Sequence, residues 1–374
     1  MRRWIGFGLL AVTVMMANAC RSANTSAAPN STNSLQSCEI ALSQHEGGEK
    51  IDQEIRRIQQ KIRAGQQGQQ VLPMIESLGW SYVEKARESF DPGYYKLAEQ
   101  CAVCLEAKQA SLQASSQQSQ AGGQKENKPA EPIQVAWNPN SNQSTKASSL
   151  LLRGHVLHSL HRFTEAEQLA QELVKIRGLA FDYGLLGDVL MEQGKLDDAV
   201  TAYQKMMELK PGPQAYSRAA NVHWLKGDLQ GARVLMKMSA QSSGQGDPES
   251  AAWAWSKLAL YELQAGNVKQ AQAICNLALE LRPDYAPALL ARGKSLLAEN
   301  KFAEAAETLQ RAAKLNPLPE YQWTLAEALR AAKRDDEAQK VEAELAARGS
   351  NDDPRTFAIY LATRNERTEG AAIA

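Results

Sequence analysis

The spacing of six alanines constrains this 374-residue chain more than any other feature. They are separated by 33, 33, 39, 34 and 33 residues, and they are Ala166, Ala199, Ala232, Ala271, Ala305 and Ala338. Each occupies the same place in a recurring pattern of two amphipathic helices, and such a period is typical of helical-hairpin repeats. A single hairpin cannot bury its own apolar face, so the hairpins must stack, and the stack presents a concave surface.

The composition also indicates an all-helical chain. Apolar residues make up 44% and aromatic residues 6%, and no long stretch alternates Val or Ile with polar residues. The 42 basic and 42 acidic residues cancel, so no charge excess favours a nucleic acid or an anionic membrane surface as the partner.

The N-terminus has the features of a targeting segment. Arg2 and Arg3 precede a short apolar run over 4–16, and the small residues of 17–19 lead to Cys20. The run is shorter than the ~20 residues that a transmembrane helix needs. The segment resembles a bacterial lipoprotein signal, which implies a signal peptide over 1–19, lipidation of Cys20 and attachment to the outer membrane facing the periplasm. Ordinary cleavage with secretion to the periplasm is the alternative.

Shifts in composition divide the rest of the chain. Residues 20–37 are rich in Ser, Asn, Thr and Ala and are predicted to be a flexible tether, and 38–110 contains amphipathic helices with a divergent repeat. Residues 111–146 are almost free of apolar side chains, which predicts a low-complexity insertion, either disordered or lying over the solenoid. Six repeats occupy 147–352, and an incomplete further repeat occupies 353–374.

Five cysteines add a constraint on redox state. If Cys20 is lipidated, then Cys38, Cys101, Cys104 and Cys275 remain in an oxidising compartment. A bridge from Cys38 to either member of the C-x-x-C pair is open, because connectivity does not follow from sequence. Cys275 falls at a buried repeat position and is predicted to be an inert core thiol.

The repeats carry a specific motif, in which a place is counted from the first residue of each frame. The clearest copy has residues at places 4, 7, 8, 15, 20, 24 and 32, namely Tyr183, Leu186, Gly187, Gly194, Ala199, Tyr203 and Pro211. This motif resembles the tetratricopeptide repeat family over most of 147–352 and more weakly over 70–110. The resemblance implies an all-α, right-handed superhelical solenoid. The frames begin at Ala147, Ala180, Pro213, Ala252, Ala286 and Pro319.

The resemblance also implies where a ligand binds, because places 2, 5, 9, 12 and 13 of the first helix face the concave groove in this family. The candidate peptide-groove residues are His155, His158, Asp188, Met191, Asn221, Trp224, Trp253, Leu260, Lys294, Trp323, Glu327 and Arg330. Tryptophan offers a large rigid surface for a partner, although it also packs beneath neighbouring repeats. Asn221 can both donate to and accept from a peptide backbone, and Lys294 or Arg330 can meet a carboxylate.

No residue pattern predicts a catalytic, metal or cofactor site. His155, His158 and His161 recur every three residues, but each step turns the side chain by about 60° around the helix, so the outer two diverge. The Gly293-Lys294-Ser295 sequence lies inside a repeat helix rather than in a phosphate loop. No βαβ pattern surrounds the C-x-x-C pair.

The sequence therefore predicts a non-enzymatic scaffold that binds a peptide or protein segment in its groove, in the bacterial cell envelope. An assembly factor in envelope biogenesis or secretion, a non-catalytic subunit of an enzyme complex, and an enzyme with an unrecognised site in 38–146 are the alternatives. The apolar segment 357–361 has no second helix behind it, so we expect this terminus to be loosely held, to self-associate, or to derive from a longer chain.

Overall fold

The computed structural model describes residues 31–65, 70–89, 91–121, 142–243 and 248–363. These residues form seventeen helices and no strand, which confirms the predicted all-α class. The helices are α1 (Ser31–Ala41), α2 (Lys50–Arg63), α3 (Val71–Ser89), α4 (Gly93–Ala121), α5 (Asn142–Ser159), α6 (Phe163–Ile176), α7 (Ala180–Glu192), α8 (Leu196–Leu209), α9 (Pro213–Leu225), α10 (Leu229–Ser242), α11 (Pro248–Gln264), α12 (Val268–Leu281), α13 (Ala286–Ala298), α14 (Phe302–Leu315), α15 (Pro319–Ala331), α16 (Asp335–Asp352) and α17 (Pro354–Thr363).

Consecutive helices pack in pairs, and the pairs stack into a solenoid. The closest pairings include α3 with α4, α7 with α8 and α11 with α12, while α5 also contacts α7 and α13 contacts α15. Four first helices begin at the predicted residues Ala180, Pro213, Ala286 and Pro319. The other two, α5 and α11, begin earlier than predicted, at Asn142 and Pro248.

In each of the six repeats from α5 to α16, the turn between the two helices holds one residue in the left-handed region, at place 15 of the frame. These residues are His161 (φ 59°), Gly194 (φ 73°), Gly227 (φ 81°), Gly266 (φ 80°), Asn300 (φ 60°) and Lys333 (φ 60°). The next residue closes the turn with a six-residue hydrogen bond, as from the Lys195 N–H to the Leu190 carbonyl at 3.0 Å. The turn keeps this left-handed conformation even where another residue replaces the glycine of the motif.

Small residues at place 8 allow the two helices of a hairpin to approach. A Cβ added to Gly187 would lie 2.3 Å from Cε1 of Tyr203, and one added to Gly293 would lie 2.4 Å from Cγ of Leu309. Both facing side chains come from place 24 of the same frame. At these two glycines, a large side chain of the second helix therefore fills the space that a side chain on the first helix would need.

The N-terminal part differs from the predicted boundaries. The predicted tether over 20–37 includes the start of α1, and α4 continues from 111 to 121 within the predicted insertion. That stretch of Ser, Gln, Leu and Ala has no glycine or proline, so nothing in it stops the helix. The predicted signal peptide, Cys20 and residues 122–141 lie outside the described residues.

The α3–α4 hairpin stacks on α5 as a divergent repeat, and α1 and α2 pack against it. A disulfide joins Cys38 of α1 to Cys104 of α4, with 4.8 Å between the Cα atoms. Cys101 and Cys275 are buried free thiols. Burial raises the pKa of Cys275 to about 12, as expected for an inert core thiol.

The last described helix covers the end of the solenoid. Four of the five residues of 357–361 are buried, and only Ile359 is half exposed, at 50%. A Cβ on Gly349 of α16 would lie 2.4 Å from the Phe357 ring, so α17 packs closely on α16. The premise that no helix lies behind this segment is therefore wrong, because α15 and α16 bury its apolar face. Self-association of this terminus stays a prediction.

None of the seventeen helices, taken over the described ranges, is both long enough and apolar enough to span a membrane.

Lys333→Gly tests the turn conformation. Glycine adopts φ 60° without the Cβ clash that a lysine suffers, so the free energy of unfolding should rise by roughly 0.5–1 kcal/mol in urea titrations. Asn300→Gly should gain less, because asparagine tolerates this region. As a control, Lys340→Gly inside α16 should lower stability by ~1 kcal/mol. Equal losses for Lys333→Gly and Lys340→Gly would contradict the turn geometry.

Candidate functional site

The concave face contains a cavity of about 510 Å³, which we call the concave chamber. Its walls come mainly from α7, α9 and α11, the first helices of three successive repeats. Seven of the twelve predicted groove residues line it, namely His158, Asp188, Met191, Asn221, Trp224, Trp253 and Leu260. The structure thus brings the central members of the predicted set together.

An ion pair is fixed in the chamber wall. The Arg218 guanidinium of α9 donates to both oxygens of Asp188 on α7, at 2.8 and 2.5 Å. The Tyr203 hydroxyl donates to the same carboxylate at 2.9 Å. Burial and Asp188 together raise the pKa of Tyr203, so its proton stays in place. The Asp188 carboxylate is therefore hydrogen-bonded to both Arg218 and Tyr203, and these three side chains form a fixed polar part of the wall.

Aromatic side chains form the opposite part of the lining. Trp224 of α9 is 39% exposed and lies parallel to Tyr261 of α11, with 6.3 Å between the ring centroids. Its indole N–H donates to the side-chain oxygen of Gln264 at 2.7 Å, which orients the ring. Trp253 is partly buried, and the Lys257 ammonium lies 5.9 Å from the centre of its ring. Trp224 thus presents an oriented apolar surface to the chamber.

Asn221 and His158 each bring to the chamber a polar group that the described residues leave without a hydrogen bond. No residue within the described part of the chain hydrogen-bonds the Asn221 amide, which is half-buried on α9. The Nε2 atom of His158 is buried without a hydrogen bond among the same residues. Burial lowers the pKa of His158, so the ring is held in its neutral form. A ligand in the chamber has an amide and an imidazole to bond.

The three histidines of α5 and its turn do not converge. His155 packs on Trp80 with 5.5 Å between ring centroids, whereas His158 and His161 pack on Phe163. Within the described ranges no group of three His, Cys, Asp or Glu side chains is arranged to hold a metal ion. The predicted divergence follows from the helix geometry.

Lys294 and His155 of the predicted groove set lie outside the chamber lining. The Lys294 ammonium bonds the Glu320 carboxylate at 2.6 Å, which joins α13 to α15. His155 is turned towards Trp80 of α3. Each of these residues at a groove place is used to join neighbouring hairpins.

The three groove candidates on α15 also do not reach the chamber, because α16 and α17 engage them. Trp323 packs on Tyr360 of α17 at 5.9 Å between ring centroids, and its indole N–H donates to Glu327 at 2.7 Å. Arg330 donates to Glu342 of α16 at 2.9 Å. Trp323 and Arg330 thus contact α17 and α16, and their contacts with a ligand stay a prediction.

Sequence reasoning missed several chamber residues. Arg218 and Lys257 both stand at place 6 of their frames, which was not among the groove places considered. The repeat pattern could therefore have identified both residues if place 6 had been included among the groove places. Arg87 of α3 also lines the chamber, and no feature of the repeat pattern points to it.

These features define a helical-repeat protein whose first helices line a chamber. Family models described as tetratricopeptide repeat match residues 185–248 and 262–322. The chain therefore contains tetratricopeptide repeats. Proteins of this family are generally non-catalytic scaffolds that bind other proteins, so the chain is a protein-interaction scaffold.

Solved structures of similar fold include PilF of Pseudomonas aeruginosa, which is 14% identical over 55% of this chain and 92% of that chain, with a TM-score of 0.47. PilW, described as a type IV pilus biogenesis factor, is 11% identical over 54% of this chain and 93% of its own, with a TM-score of 0.46. The Cut9–Hcn1 complex is 13% identical over 81% and 73%, with a TM-score of 0.48. These values are too low to carry an argument about function. No curated protein matches the sequence.

The half-buried His155 of α5 makes stability depend on pH. Burial lowers the pKa of His155 to about 4 from 6.5, so below pH 6.5 the unfolded chain binds a proton that the folded chain does not. The contribution of neutral His155 to the free energy of unfolding is fully present above pH 6.5. It falls by at most about 3 kcal/mol as the pH is lowered from 6.5 to 4.

His155→Gln removes that titration and should flatten the urea-unfolding stability profile between pH 6.5 and 4. The exposed His161 on the neighbouring turn supplies the control, because His161→Asn keeps a residue that tolerates the left-handed region. An unchanged pH slope in His155→Gln would show that this ring is solvated in the folded protein.

Proposed function

We propose that the protein holds an extended peptide segment of a partner protein in the concave chamber, in the bacterial cell envelope, anchored by lipid to the outer membrane and facing the periplasm. The observation that carries the proposal is the juxtaposition of the exposed Trp224 ring with the unpartnered Asn221 amide on one face of α9. The two side chains are one turn apart, so a single short segment can contact both.

The Asn221 amide suits a peptide backbone because it carries both a donor and an acceptor. An extended peptide exposes its N–H and C=O groups, whereas a helix uses most of its own internally. The neutral His158 ring adds a buried nitrogen close to the same wall. These groups therefore favour an extended segment as the ligand.

The size and charge of the chamber fit this ligand class. The volume of about 510 Å³ lies within the roughly 300–1,000 Å³ of ligand pockets. The charged lining residues are balanced, and they are Arg87, Arg218, Lys257, Asp188, Glu192 and Glu249. The balance favours a segment of low net charge, with an apolar side chain against Trp224.

The proposed location rests on the N-terminal sequence and on the disulfide. The signal-like segment over 1–19 and Cys20 support export and lipid attachment. The bridge between Cys38 and Cys104 supports an oxidising compartment, because such bonds are rare in the cytosol.

The binding proposal is tested with peptides selected from a displayed library of unstructured segments. Fluorescence anisotropy of a selected, labelled peptide should show Trp224→Ala weakening the affinity at least ~10-fold, the loss expected for an interface anchor. Asn221→Ala should weaken it by a similar factor, because the peptide backbone loses its amide partner.

Leu225→Ala is the matched control, because Leu225 is an exposed neighbour that does not line the chamber. It should leave the affinity unchanged. If no peptide is selected, or if Trp224→Ala binds as the unchanged protein does, the chamber is not a peptide site.

The location is tested separately with Cys20→Ser. The acyl chains would be the only strong membrane contact, so the variant should leave the membrane fraction and appear in the soluble periplasmic fraction. Persistence in salt-washed membranes would contradict lipid attachment at Cys20.

A further inference from the structure

Five polar side chains join the N-terminal part to the middle of the solenoid across the concave face. The Arg87 guanidinium donates to Glu249 at 2.7 Å, and the Tyr285 hydroxyl donates to the other oxygen of Glu249 at 3.0 Å. A second ion pair joins Glu88 to Arg282 at 3.7 Å. We call these five residues the clasp. The clasp connects α3 with α11 and with the turn before α13. Arg87 and Glu249 are 162 residues apart in the sequence.

The architecture does not require this contact. In a solenoid each hairpin is stabilised by its immediate neighbours, and contacts between distant hairpins are additional. The apolar cluster that contains α3 extends only as far as α5. The clusters of α9 to α13 contain no residue of α3. Within the described residues, then, the clasp has no apolar core of its own.

The clasp is also accessible to solvent. The Arg87 side chain is 53% exposed and that of Glu249 is 31% exposed, and the second pair is similar. Ion pairs of this kind are weak, because water solvates the separated charges well and salt screens their attraction. The clasp can therefore break while the hairpins on either side stay folded.

The position of the clasp relates it to the chamber. Arg87 and Glu249 both line the concave chamber, together with residues of α7 and α9. The Arg87–Glu249 pair therefore joins two parts of the chamber lining, one from α3 and one from α11.

We propose that the clasp is a gate of the concave chamber. The partner segment enters when the ion pairs separate, and the re-formed pairs retain it. The proposal rests on the proposed function for the identity of what enters, but the opening and closing are properties of the free protein. Because the gate is held by charge alone, ionic strength sets the fraction that is open.

The gate is measured in the free, full chain by the distance between two spin labels. Lys96→Cys on α4 and Glu280→Cys on α12 place the labels at exposed sites on the two sides of the clasp. The native cysteines do not interfere, because Cys38 and Cys104 are bridged and the other two described ones are buried. Cys20→Ser in the same background removes the remaining thiol.

Charge reversal then tests the ion pair itself. Arg87→Glu opposes Glu249 with a like charge and should shift the distance distribution to longer values. Adding Glu249→Arg should return it to the original distribution. Raising the salt to ~1 M, where the Debye length is about 3 Å, should lengthen the distances in the unchanged protein. Lys205→Glu, which disrupts the exposed Lys205–Glu208 pair of α8, is the control and should change nothing.

The idea is overturned if the distances stay the same in Arg87→Glu and at high salt, or if the double reversal fails to restore them. With a selected peptide, Arg87→Glu should increase the dissociation rate, and the double reversal should recover it. A distance shift without any peptide binding would leave the gate standing and remove the proposed ligand, so the two failures are distinguishable.

Discussion

The close contact between the two helices of each hairpin is the constraint on which the rest of this structure depends. Where place 8 is glycine, a side chain of the facing helix occupies the volume that a Cβ would need, as Tyr203 does at Gly187. Each of the six repeats must also reverse through a left-handed residue, even where that residue is Lys333. Close helices and tight turns fix the angle between successive hairpins. That angle curves the stack and places α7, α9 and α11 around one chamber.

The spacing of the repeat motif predicted those features that recur from one repeat to the next. The helix starts at Ala180, Pro213, Ala286 and Pro319 could be read from the motif, because each repeat meets the same neighbours in the same way. The boundaries were less accurate where repetition stops. The polar residues from 111 to 121 looked unable to form a core, yet α4 continues through them, because a helix needs only the absence of breakers.

The chamber was predictable in its middle and not at its ends. Asn221, Trp224 and Trp253 stand at predicted groove places and line one chamber, since an inner repeat has neighbours on both sides. Their contact with a ligand stays a prediction. Trp323 also stands at a predicted groove place, but it packs against Tyr360, because α17 lies on this part of the α15–α16 hairpin. Arg87 lines the chamber through a contact across 162 residues, which no repeating pattern can encode.

The disulfide has a mechanical consequence. A pull on the N-terminus enters the described structure at α1 and reaches Cys38, from which the covalent bond carries it directly to Cys104 of α4. The two cysteines are 66 residues apart, and α2 and α3 lie between them, so the disulfide bypasses both helices. Arg87 and Glu88 belong to this bypassed loop. When the chain is loaded at its N-terminus, the covalent path of the force runs through α4 and the repeats beyond it and does not include α3, the helix that carries the clasp.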